Sequence, residues 1–125
     1  MKTLVILLAF LLPVAAVTPN LAPVTKALSE GDAGTLGSYL DNSVDLTLLD
    51  KQSVVDKNAA TTTLRDFFSK NKPKSFNTVH QGSSKGAGSH YTIGDLGVAN
   101  GNLRVYLYYK TVGDKPVIQE IRIEK

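Results

Sequence analysis

Two histidines, a glycine-rich loop and a few aspartates carry most of the chemistry open to this chain. His80 and His90 flank the run Gly82-Ser83-Ser84-Lys85-Gly86-Ala87-Gly88. If that run joins two antiparallel strands, the imidazoles can face each other across the pair. That would make a pH-sensitive binding element, or place a base in a pocket. The chain has 2 His and 0 Cys in 125 residues, so the pair lacks the further ligands a zinc site needs. A phosphate cradle would require the loop to open a helix with Gly-Lys-Ser/Thr in order. Here Lys85 precedes Gly86 and the loop lies between strands, so it reads as a hairpin tip. Asp45, Asp50 and Asp56 do not pair for acid–base work. Asp56 reads as a helix cap, Asp50 as a strand end at a turn, and Asp45 alternates with leucines and points to solvent. Ser53, Ser83 and Ser84 lack the strand–turn–helix setting of a nucleophilic serine.

The elements that hold these groups follow from apolar spacing. Leu21, Val24, Ala27 and Leu28 form a helical stripe that Gly31 can close in the left-handed conformation. Asp32 can cap a second short helix carrying Leu36, Tyr39 and Leu40. Val44–Leu49 alternates as a strand. Asp56 caps a third helix whose inner face is Ala60, Leu64, Phe67 and Phe68, ending at Asn71 before Pro73. Strands follow at Ser75–Gln81, His90–Val98, Leu103–Thr111 and Pro116–Glu124. Helices first and an antiparallel meander second make an α+β fold, with N-terminal helices packed on the sheet.

Register then selects a site. Leu103, Val105, Leu107 and Tyr109 share one face, as do Val117, Gln119, Ile121 and Ile123. Both sets must lie on the core side, because a one-residue slip would turn every side chain over. The short turn at Gly113–Lys115 sets Leu107 against Ile121 and Val105 against Ile123. On the other face it sets Arg104 against Glu124 and Tyr106 against Arg122, an ion pair and a cation–aromatic pair. An Asn100-Gly101 turn sets Val98 against Leu103 and Thr92 against Tyr109. The inner face is apolar at one end and polar at the other, where His90, Thr92, Tyr109 and Gln119 gather. Apolar walls with a few converging polar groups describe a small-molecule pocket. Tyr109 and Gln119 are expected to line it, with His90 at its mouth.

Helix–helix–strand–helix followed by a strand meander resembles the nuclear-transport-factor-2-like superfamily. That resemblance implies a cone in which a curved antiparallel sheet wraps a helix. More closely, Leu64-Arg65-Asp66-Phe67-Phe68-Ser69-Lys70-Asn71, Pro73-Lys74-Ser75-Phe76, His80-Gln81-Gly82-Ser83-Ser84-Lys85-Gly86 and Val117-Ile118-Gln119-Glu120-Ile121-Arg122-Ile123-Glu124 are similar to a secreted bacterial family, domain-of-unknown-function family 4783. The resemblance runs from Leu21 to Glu124. It implies a fold and a compartment, and no reaction, cofactor or catalytic residue.

Residues 1–16 read as a signal peptide: Lys2, an apolar run from Leu4 broken only by Pro13, and small residues Val14-Ala15-Ala16 before the cut. The run is too short to span a bilayer. Residues 17–125 are expected to be one domain, exported to the periplasm or beyond, with no membrane anchor after cleavage. Apolar residues are 42% and charged residues 20% of the chain, a globular composition. The formal charge of +3 is scattered, so no nucleic acid is expected. Three functions stay open. One is a non-catalytic module binding a small-molecule ligand or a protein partner in the sheet cavity. Another is a pocket enzyme of isomerase or dehydratase type using His80 or His90. The third is a homodimer formed through the sheet face bearing Tyr106 and Tyr108.

Overall fold

The computed structural model describes residues 20–83 and 88–125. Helix α1 (Ala22–Glu30) begins with Pro23 in its first turn and ends at Gly31, whose φ of 68° lets the chain reverse sharply. Asp32 then caps α2 (Ala33–Ser38), its carboxylate accepting from the Thr35 N–H at 3.1 Å and the Thr35 hydroxyl at 2.6 Å. The chain runs on through β1 (Leu40–Leu48) and β2 (Lys51–Asp56). Asp56 caps α3 (Lys57–Lys70) by accepting the Ala59 N–H at 2.7 Å. Three consecutive threonines, Thr61–Thr63, donate to the carbonyls of Lys57, Asn58 and Ala59 one turn back. This back-bonding accommodates β-branched residues in the helix while packing holds it. The meander β3 (Pro73–Ser83), β4 (Ser89–Val98), β5 (Gly101–Val112) and β6 (Lys115–Glu124) completes the chain.

The six strands form one open sheet in the order β2-β1-β6-β5-β4-β3. Four pairings are antiparallel, and β1 runs parallel to β6. The α+β expectation holds, with helices on one side of the sheet. Val24, Leu28, Leu36, Leu64, Phe67 and Phe68 from the helices share a single core with Leu46, Leu96, Val105, Leu107, Ile121 and Ile123 from the strands. Among the described residues the other side of the sheet carries no helix.

Three expectations are corrected. Strand β2 lacks the apolar alternation that would mark it in the sequence. Its turn from β1, Leu49-Asp50, contains no glycine, yet Leu49 adopts φ 56°. The Leu49 N–H donates to Ile123 O at 2.7 Å, and its side chain packs against the core; these contacts offset the cost of a left-handed leucine. The β4–β5 turn is Ala99-Asn100, closed by Val98 opposite Gly101. This moves the pairing by two residues, so Thr92 faces Leu107 and His90 faces Tyr109. A shift of two preserves the faces. The third correction is in β6. Tyr108 pairs with Glu120, as expected, but Tyr109 pairs with Ile118. Gln119 is the extra residue of a bulge, and beyond it the alternation changes sides.

Candidate functional site

The β6 bulge dismantles part of the expected pocket. Ile118 is buried in the place assigned to Gln119, and Gln119 is exposed. Gln119 instead joins Asp41, which also pairs with Lys110 at 3.4 Å. The Asn42 N–H, 2.8 Å away, and Lys110 hold the Asp41 carboxyl below its usual range. The remaining three expected residues do meet. Thr92 is fully buried and Tyr109 is 4% exposed, and their hydroxyls lie 3.4 Å apart. The half-buried His90 ring stacks on Tyr109 at 5.4 Å and 20°. The arrangement is a packed column of ring, ring and hydroxyl in which the two buried polar groups satisfy each other.

His80 does not oppose His90. Bulges at Pro73/Ser75 and Thr78/His80 shift β3 so that His80 faces Ile93 and Ser83 faces His90. His80 is on the helix-free side, where its Nε2 and the Tyr91 hydroxyl share a hydrogen bond of 2.9 Å. Neither imidazole has a carboxylate hydrogen-bond partner among the described residues. Among those residues no three His, Cys, Asp or Glu side chains cluster for a metal. The Gly82–Gly88 loop lies largely outside the described residues.

The helix-free side holds a different constellation. Two rows of residues cross the entire sheet there. Gly82, Tyr91, Tyr108, Glu120, Asp45 and Val54 are successive lateral neighbours in one row. His80, Ile93, Tyr106, Arg122, Thr47 and Gln52 are neighbours in the other. Tyr91 lies over Gly82, where an added Cβ would come within 2.7 Å of its hydroxyl; only glycine lets the ring lie this flat. Tyr106 and Arg122 are neighbours as expected. Arg104 is opposite Glu124, but its Nε turns to Asp95 Oδ1 at 2.8 Å, and Arg122 Nε lies 3.6 Å from Glu124 Oε1. The result is a central patch of Tyr91, Ile93, Tyr106 and Tyr108, bordered by charges of both signs. Strand alternation marked Tyr106 and Tyr108; Tyr91 and Ile93 join them only because the two long strands are adjacent.

Residues 21–124 match the family model described as a domain of unknown function, DUF4783. The chain belongs to the DUF4783 family. It is similar to two solved DUF4783 proteins. One, from Bacteroides uniformis, is 43% identical at a TM-score of 0.75, with 82% of this chain and 94% of that one covered. The other, from Bacteroides ovatus, is 38% identical at a TM-score of 0.76, with 83% and 93% covered. A designed nuclear-transport-factor-2-like protein, 15% identical, aligns over 81% of this chain and 90% of its own at a TM-score of 0.64. At that identity the likeness concerns the fold alone. It gives this DUF4783 domain the nuclear-transport-factor-2-like architecture, helices against a curved, unclosed sheet. No curated protein matches the sequence.

Proposed function

We propose that this DUF4783 protein is a non-catalytic binding module that docks a protein partner on the helix-free face of its sheet. The observation that carries this reading is the patch of Tyr91, Ile93, Tyr106 and Tyr108, held on adjacent central strands with no helix or strand above it among the described residues. Tyr108 is 41% exposed. Aromatic side chains bordered by arginines and carboxylates are the make-up of protein-binding hot spots. The inner column of His90, Thr92 and Tyr109 supports a ligand pocket less well, since its buried hydroxyls are already paired. An isomerase or dehydratase base would need an orienting partner inside a pocket; His80 lies exposed on the open sheet face, and His90 is stacked on a tyrosine with no carboxylate hydrogen-bond partner among the described residues. The Met1–Ala16 segment supports export, so the partner is sought in the periplasm or outside the cell. Mass spectrometry of the mature chain is expected to find Val17 at its N-terminus; a retained Met1 refutes export by this route.

The test is a photo-crosslinking residue at Tyr108, compared with one at Lys26 on the helical side, in cells that make the protein natively. A discrete adduct from position 108 that disappears when Tyr106→Ser is added supports the reading. Equal labelling from both positions, or none from 108, overturns it.

A further inference from the structure

The two edges of the sheet are built differently. Strand β3 is defended: it begins with Pro73 between Lys72 and Lys74 and carries two bulges, each a device that discourages strand addition. Strand β2 pairs with β1 through six residues with no register shift, and has no proline. It carries Val54, which at 69% is the most exposed large hydrophobic side chain among the described residues.

The backbone directions on this edge follow from the turn. A two-residue loop closes on a hydrogen-bonded pair, here Leu48 and Lys51, and such pairs alternate along an antiparallel ladder. Lys51, Ser53 and Val55 therefore spend their N–H and C=O groups on β1. Gln52 and Val54 present theirs to the free edge. An antiparallel copy of the same strand about a two-fold axis through Val54 would join those groups directly. Val54 would meet its own copy, Ser53 would face the copy's Val55, and Gln52 would face the copy's Asp56. No like charges stand opposite within the strand. Lys57, just past its end, is directed elsewhere, with its ammonium 3.4 Å from Ser38 O.

We propose that β2 is a self-pairing edge: two copies of this chain join β2 to β2 about Val54, making one continuous sheet. The two-fold axis is perpendicular to the sheet, so it keeps both helix-free faces on the same side and leaves the tyrosine patches uncovered. A short strand pair buries little area, so the dimer is weak and concentration-dependent.

The chain has no cysteine, which makes the test clean. Val54→Cys, oxidised at high protein concentration, is expected to cross-link at least tenfold faster than Val79→Cys on the β3 edge, where Val79 is 54% exposed. Sedimentation should show a reversible dimer that Val54→Pro abolishes, because the outward N–H it removes is unused within the monomer. Val54→Lys gives the same reading without altering the backbone. Tyr108→Ser should leave the dimer intact, which separates this proposal from docking on the open face. A monomer at every concentration, or equal cross-linking from positions 54 and 79, overturns it.

Discussion

The ring of Phe76 on β3 lies directly across the backbone of Gly94 on β4. A methyl group built on Gly94 would fall on the Phe76 ring, within 2.6 Å of its Cε2, and 2.8 Å from Asn77 O. The glycine thus forms a socket on the inner face, and the aromatic ring fills the space a Cβ would take. Gly94→Ala is expected to destabilise the fold by about 1–3 kcal/mol through overpacking, read from urea midpoints. Combining it with Phe76→Leu should recover part of that loss. Additive losses would show that the ring does not occupy the socket.

Phe67 and Phe68 lock α3 into the core. They are 8% and 4% exposed, with ring centroids 5.9 Å apart in an edge-to-face arrangement. Each substitution to alanine should cost about 3–5 kcal/mol. The double variant should lose about 0.5–1.5 kcal/mol less than the sum of the two, the share belonging to the aromatic pair. Equilibrium denaturation of the three variants checks both numbers.

Acid should find the Asp32 cap of α2. The Thr35 hydroxyl, and after it the Thr35 N–H, hold the Asp32 carboxyl below its ordinary 3.8. A depressed folded-state value means the stabilisation is present above the unfolded value and is lost as the pH falls through the folded one. Asp32→Ala should therefore differ from the parent by a constant amount from about pH 7 to about pH 5. The difference should shrink below about pH 4 as Asp32 takes up its proton. Thermal melts across that range test it; a gap that widens in acid would contradict the sign.

Much of this fold was legible because its signals are local. Gly31, Asp32 and Asp56 announce their helix ends through backbone chemistry that needs no distant partner. The Leu107–Ile121 register followed from alternation and the short turn at Gly113–Lys115. What escaped was set by tertiary contacts. Asp50 marks the turn, but nothing near Leu49 announces the strand that follows, since its left-handed backbone is held by Ile123 O and the core. The bulge at Gln119 is likewise silent in the sequence, because Val117, Ile118 and Ile121 allow either face to look apolar. That one residue separated Gln119 from Tyr109. By contrast, Thr92, Tyr109 and His90 came together as expected, because a two-residue change of register leaves their face unchanged.

The bulge in β6 also sets a rule for how this chain tolerates change in length. Gln119 acts as a one-residue spacer between two stretches that are out of step. Deleting it would restore unbroken alternation and keep Ile118 and Pro116, both buried, on the core side, so the strand should tolerate that loss. A deletion inside a regular stretch has the opposite effect: loss of Arg122 would put Ile121 and Ile123, both buried, on opposite faces, so it should be tolerated only with a compensating insertion in the same stretch. Lengthening the Gly113–Lys115 turn carries no such restriction, since its extra residues lie outside the paired strands.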